Sequence, residues 1–187
     1  MKVDIYNTDK KYNIIYADPP WSYTNKGSET GKRGMAAYHY NTMEETEISN
    51  LPIQKICKEN SILFLWATFP NIQKALNVIK SWGFIYKTAA FVWIKKNKKS
   101  DSLFWGMGAY TRANAEVCLL GISSKTKAKD LIKTHSIHQI IQSPIREHSR
   151  KPDEVRDKIT ELCGDLPRIE LFARQQVEGW DCWGNEV

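Results

Sequence analysis

The chain predicts an α/β fold: a mostly parallel sheet with helices on both faces. Three observations carry that prediction. The apolar run at 62–67 lacks the alternation of a half-wet strand, as expected of a strand covered on both faces, and 168–173 reads as a last strand of the buried type. Strand-like runs alternate with segments of helical periodicity, the pattern of a parallel sheet. The first apolar run, 12–17, ends abruptly in Asp18-Pro19-Pro20-Trp21, and open α/β sheets bind ligands at the carboxyl ends of their strands.

The elements follow in order. Residues 12–17 form the first strand, and 22–41 a long polar loop containing Gly27, Gly31 and Gly34; loops of that length are usually functional. Thr42 and Glu45 are spaced as a capping box. The helix they open is interrupted before Pro52, which starts a second short helix. After the strand at 62–67, Pro70 opens a helix with the stripe Ile72, Ala75, Leu76, Ile79 and Trp82, closed by Gly83. Residues 84–94 are aromatic and β-branched, a strand. A loop over 103–112 follows, then strands at 116–122 and 139–142. Pro152 begins a helix with acids in its first turn and Val155, Ile159 and Leu162 on its buried face; Gly164 ends it. Residues 168–173 are the last strand.

The 187 residues suffice for one domain with a sizeable core. No apolar stretch approaches the roughly 20 residues of a membrane span, and the first residues do not read as a signal peptide. The four cysteines are scattered without a CxxC pair, and the four histidines share no ligand spacing, so no metal site is expected and a reduced, cytoplasmic setting is. The net charge of +6 is concentrated at Lys95, Lys96, Lys98 and Lys99, at Lys125 to Lys133, and at Arg146, Arg150 and Lys151. With seven tryptophans and eight tyrosines, that distribution points to a polyanion partner.

Each residue of the corner after the first strand has its own chemistry. Asp18 is an anionic acceptor. Pro19 and Pro20 have fixed φ and no N–H, making a stiff turn whose carbonyls stay free to accept. Trp21 offers a flat face for stacking on a base. Acceptors beside a stacking surface suit an aromatic amine. The competing reading is an ordinary Pro-Pro turn with Trp21 in the core.

Asp18-Pro19-Pro20-Trp21 resembles the catalytic motif of the MT-A-type (DPPW) adenine N(6)-methyltransferases. The resemblance extends through Tyr40-Asn41-Thr42-Met43, the strand at 63–68, the late segments 146–154 and 169–174, and the ending 179–186. It implies a Rossmann-like, S-adenosylmethionine (SAM)-dependent methyltransferase fold over residues 1–187, a single domain with no separate target-recognition domain. The catalytic motif precedes the cofactor strand, the β-group order. A glycine-rich fingerprint is missing there; Phe172-Ala173-Arg174 stands in its place.

By the same resemblance Asp18, Pro19, Pro20 and Trp21 are catalytic. Asp18, Pro19, Lys151, Arg174, Gln176, Asn185 and Glu186 bind the cofactor, although Gln176 and Val177 replace the His-Asn of some relatives. Asp4-Ile5 is a weaker candidate for the cofactor's adenine. Tyr40, Trp66, Lys95, Lys96 and Arg112 are the substrate-side candidates, with packing as the competing reading of Trp66, Trp82, Trp93 and Trp105. Asn114 and Glu116 are candidates to support the target loop. The implied reaction is methylation of adenine in DNA, in a bacterial or phage-infected cell. RNA and a catalytically silent nucleic-acid-binding subunit are the alternatives. Without a recognition domain, target choice falls to the loops at 22–40, 95–115 and 123–137, or to a homodimer or a specificity-delivering partner.

Overall fold

The computed structural model describes residues 1–22, 42–108, 110–147 and 150–187. The strands are β1 (Tyr12–Ala17), β2 (Cys57–Ala67), β3 (Phe84–Lys96), β4 (Ala115–Ser123), β5 (Ile140–Pro144), β6 (Arg168–Leu171) and β7 (Asp181–Trp183). They form one seven-stranded sheet in the order β5-β3-β4-β2-β1-β6-β7. All neighbours are parallel except β4, which is antiparallel to both β2 and β3. Only a loop joins β3 to β4, so the chain returns antiparallel; a parallel return would need a crossover.

Strand periodicity sorts the buried side chains onto two faces. Ile15, Ala17, Leu63 and Leu65 face α1 (Glu45–Ser49), α2 (Ile53–Ile56) and α3 (Ile72–Ser81), meeting Ile48, Ile53, Ile56, Ala75, Val78 and Ile79. Ile14, Tyr16, Ile62, Phe64 and Trp66 face the other way, onto Leu131 of α4 (Ala128–Leu131) and Val155, Ile159 and Cys163 of α5 (Glu154–Cys163). Each such fully buried aliphatic side chain contributes about 1.5–3 kcal/mol. Helices therefore cover both faces, as the apolar runs predict. Gly83 and Gly164 end α3 and α5 at φ 80° and 79°, where a side chain would be strained.

Several local expectations shift. Thr42 is not the N-cap of α1. Met43 pairs with the corner after β1, its N–H donating to the Pro20 carbonyl (2.8 Å) and its carbonyl accepting from Ser22 (3.2 Å). This holds Thr42 and Met43 extended. The helix starts two residues later, with the Glu47 carboxylate accepting from the Glu44 N–H at 2.7 Å. Pro70 lies in a 3-10 turn, Phe69–Asn71, that leads into α3. Two elements carry no sequence signal: α4, one turn long, and β7, too short for any periodicity.

The order of strands creates a switch point. From β1 the chain moves outward to β2; from β6, its other neighbour, it moves the opposite way to β7. The connections diverge at the carboxyl ends of β1 and β6, opening a crevice between them. Ala17 pairs with Leu171 as the last rung, so Asp18 and Phe172 stand at its mouth.

Candidate active site

The corner after β1 divides into two halves. Trp21 is 5% exposed and its indole N–H donates to the Trp66 carbonyl at 2.9 Å. Its backbone N–H donates to the Pro19 carbonyl at 2.9 Å. The Pro19 and Pro20 carbonyls each therefore carry one backbone hydrogen bond already and are not free. A carbonyl oxygen has two lone pairs, so one acceptor position on Pro19 remains. The corner is locked from beneath, with Asp18 projecting above it.

Asp18 begins a chain of four alternating charges. Lys151 Nζ lies 2.8 Å from Asp18 Oδ1 and 3.1 Å from Glu116 Oε2, and Lys95 Nζ donates to Glu116 Oε1 at 2.6 Å. The lysines lie over indole rings, Lys151 5.7 Å from Trp66 and Lys95 5.1 Å from Trp93. The formal sum is zero, which is how four charges can share a largely buried site. Burial nevertheless holds the Asp18 carboxyl above its ordinary value, with Lys151 only partly offsetting it. Burial also pushes Glu116 up, but Lys151 and Lys95 outweigh it and the net direction is down. Lys151 is held above the usual lysine range because its two carboxylates outweigh its desolvation. It stays an ammonium.

Across the crevice the end of β6 supplies the second wall. Phe172 adopts φ 60°, a left-handed backbone uncommon for a residue with a side chain. Its ring packs edge-on against Trp183 of β7, centroids 5.4 Å apart. Gly184 passes so close to the Ala173 backbone that a Cβ there would collide with it. Arg174 then faces Glu186 at 3.7 Å, and Arg150 donates to Gln175 at 2.6 Å. Beneath them Arg156 makes a two-pronged pair with Glu170, at 2.7 and 2.9 Å, and also reaches Asp153 at 2.9 Å. A narrow cleft joins the walls, lined by Asp18, Lys151, Phe172, Arg174 and Gln175.

This arrangement coincides with what comparison of the whole chain finds. The MT-A70 family model matches residues 12–186. The chain belongs to the MT-A70 family. These are the adenine N(6)-methyltransferases that the corner and the late segments resemble. Among its relatives, the type II methyltransferase M.MunI of a Mycoplasma species is 36% identical over 95% of this chain and 78% of its own length. Human METTL4, an N(6)-adenine-specific methyltransferase, is 29% identical over 98% of this chain and 39% of its own. Human METTL3, the catalytic subunit of an N(6)-adenosine-methyltransferase, is 24% identical over 95% of this chain and 28% of its own.

Within the MT-A70 frame the structure brings some predicted residues together and separates others. Asp18, Lys151 and Arg174 line the cleft, Pro19 adjoins Asp18 in the chain, and the exposed Glu186 reaches the cleft only through Arg174. Trp21 presents no stacking face, because the core takes its ring. Trp66 is wholly buried, its N–H donating to the Tyr16 hydroxyl at 2.8 Å; it floors the site under Lys151 and does not reach a substrate. Lys95 turns inward to Glu116, and Lys96 pairs with Asp101. Arg112 is exposed on the β3–β4 loop. Gln176 is exposed outside the cleft, and Gln175 lines it instead. Asn185 is exposed beside Glu186, and Tyr40 lies outside the described residues. Ile5 is buried, and its segment runs beside β7 through the Val3 N–H to the Cys182 carbonyl, 2.9 Å.

Glu116, Glu170 and Arg156 are the residues whose weight in the site sequence reasoning undervalues or misses. A signal for each exists. Glu116 and Glu170 are lone acids inside apolar strands, and Arg156 sits beside Val155 on the buried face of α5. A charge in such a place needs a partner.

Proposed function

We propose that this MT-A70 protein transfers the methyl group of SAM to the N(6) amine of adenine in DNA. One observation carries the reading: a carboxylate and a carbonyl side by side at the switch point, in a chain that matches the family almost end to end. Of the three relatives named, the type II methyltransferase is the one of which the chain covers most, which favours DNA.

The crevice residues suit the cofactor. SAM carries a carboxylate, an ammonium, a sulfonium and ribose hydroxyls, so it needs cations and acceptors together. Lys151 and Arg174 are cations of the cleft, Asp18 and Gln175 are acceptors in it, and Glu186 stands beside Arg174. When bound, SAM supplies an electrophilic methyl group.

The chain's own residues would then act on the amine. The adenine nitrogen is a poor nucleophile because its lone pair is delocalised into the ring. Asp18 and the second lone pair of Pro19 accept its two N–H bonds, favouring a pyramidal nitrogen with the lone pair aimed outward. Lys151 holds both Asp18 oxygens, at 2.8 and 2.9 Å, yet a carboxylate has about four acceptor positions, so amine and ammonium can share it. As the N–C bond forms, the nitrogen becomes cationic. Asp18, poised above the ordinary carboxylate range, offsets that charge and takes the released proton. Positioning of this kind supplies up to about 7–11 kcal/mol.

The test is transfer of methyl-labelled SAM to random-sequence duplex DNA, single-stranded DNA and RNA. N(6)-methyladenine should form in DNA and vanish in Asp18→Ala. Label confined to RNA would overturn the choice of polymer; no label anywhere, with no SAM binding, would overturn the enzyme reading.

A further inference from the structure

The β3–β4 loop contains a feature that the reaction at Asp18 leaves unused. Four of the ten exposed large hydrophobic side chains among the described residues fall on it: Leu103, Trp105, Met107 and Tyr110. Met107 is 87% exposed and Tyr110 fully so. Of the other six, Ile85 and Tyr86 are neighbours on β3 and the rest lie singly along the chain.

The root of this loop is built. Phe104 donates its N–H to the Lys95 carbonyl at 2.9 Å, and Gly106 donates to the Ala113 carbonyl at 2.7 Å. The Asn114 side chain donates to the Lys95 carbonyl at 3.0 Å and also to that of Phe104. The root is thus tied to Lys95, whose ammonium is the far end of the charge chain leading to Asp18. Because β3 is antiparallel to β4, and β4 to β2, β3 points the same way as β1. The loop therefore leaves the sheet at the edge where Asp18 stands.

Its charges complement its apolar tip. Residues 95–112 hold Lys95, Lys96, Lys98, Lys99 and Arg112 against the single acid Asp101, a net of +4. Lys95 and Lys96 are spent internally; Lys98, Lys99 and Arg112 are exposed, Lys98 in a solvent-exposed 3.3 Å pair with Glu147 and Arg112 with its guanidinium on the Met107 sulfur at 2.9 Å, surface contacts that phosphates can replace. An apolar tip ringed by cations does not fit a protein core. It fits a duplex, whose phosphates take the cations and whose base stack takes flat or slender apolar groups.

Resting on the reading of the substrate as duplex DNA, we propose that this loop is a wedge. Met107 and Tyr110 enter the stack at the target adenine and fill the space it vacates on swinging out to Asp18. Trp105 backs them at the groove, and Lys98, Lys99 and Arg112 hold the flanking phosphates. Swinging a base out breaks pairing and stacking, and side chains standing in for the lost neighbour repay part of that cost.

The test is the double variant Met107→Ser/Tyr110→Ala, with its melting temperature as a folding control. Three DNA substrates carry the target adenine: a matched duplex, a duplex with an abasic site opposite it, and a single strand. Transfer to the matched duplex should fall by about tenfold or more, the size typical of losing one stacking contact. Transfer to the other two should stay within about twofold, because they present no intact pair to break. With 2-aminopurine as target, the fluorescence rise on binding the matched duplex should be lost in the variant. An equal fall on all three substrates, or none on the matched duplex, overturns the wedge. A wild-type chain that methylates no DNA overturns the proposed function itself, and the wedge with it.

Discussion

Replacing Lys151 with methionine isolates the role of the ammonium between Asp18 and Glu116. Methionine keeps most of the volume and removes the charge. Taking one partner from a buried ion pair typically costs about 3–5 kcal/mol. Glu116 keeps Lys95 at 2.6 Å, so the group left unpaired is Asp18. Burial already holds its carboxyl above the ordinary value, and Lys151 opposes that rise; without Lys151 it must climb further. The sign then follows. Between the unfolded and folded values of a raised carboxyl, the native state binds more protons, so stability falls as pH rises through that window. The variant's window extends higher than the wild type's. Its deficit should therefore grow with pH, by up to about 1.4 kcal/mol per unit, and be smaller near about pH 5 than near about pH 8. Activity should move in the same sense. The amine needs the ionised carboxylate, so the acid limb of single-turnover methyl transfer, measured at saturating SAM, should shift to higher pH. A limb that stays in place or shifts downward, or a stability deficit independent of pH, would refute Lys151 as the group that holds Asp18 ionised.

Three further outcomes are expected. Glu170→Ala takes the two-pronged partner from Arg156 beside β6 and leaves it Asp153 alone; a loss of about 3 kcal/mol, the lower end for a broken buried pair, lowers Tm by roughly 6–12 °C in a chain of this size, read by calorimetry. Gln175→Ala should weaken SAM binding several-fold by titration calorimetry while Gln176→Ala leaves it unchanged, because Gln175 alone of the two lines the cleft. Gly184→Ala puts a methyl into the Ala173 backbone and should cost about 1–3 kcal/mol in denaturant unfolding, together with SAM affinity, since the collision moves the wall that Arg174 and Glu186 share.

How far the sequence carries depends on whether a feature is local. The buried runs of β1, β2 and β6 and the stop signals Gly83 and Gly164 depend on neighbouring residues, and they appear where the pattern places them. The antiparallel direction of β4 has a signal too, the lack of any helix between β3 and β4, which the mostly parallel reading passes over. Asp18, Lys151, Arg174 and Glu186 were within reach because a spaced motif set names them. Gln175 lines the cleft and the predicted Gln176 does not, for a physical reason. Phe172 takes a left-handed backbone where a glycine would have announced a turn, so the register beyond β6 rotates without a sequence signal. For Trp21 and Trp66 two readings stay open in the sequence, because an aromatic residue beside a motif suits stacking and packing equally. Only the hydrogen bonds from Trp21 to Trp66 and from Trp66 to Tyr16 separate the two.

Those bonds also change how the four-residue corner works. Were Trp21 a stacking platform, the motif would be one continuous binding surface, and its aromatic end would respond to the choice of base. Instead Trp21 and Pro20 tie the chain to Trp66 and Met43, leaving Asp18 and Pro19 as the end that accepts. The two ends have different demands. An anchoring indole needs its N–H and its volume; an accepting carboxylate needs its charge and its aim. Aim is what the anchor supplies, because Asp18 is separated from Trp21 by two prolines whose φ cannot relax. Slack at the Trp66 carbonyl therefore has fewer torsions in which to relax before it reaches the carboxylate. The same logic extends through Lys151 and Glu116 to Lys95 and the root of the β3–β4 loop. Each member is fixed by a partner on a different strand or loop, so the acceptor for the amine and the loop proposed to open the duplex are set against one rigid sheet.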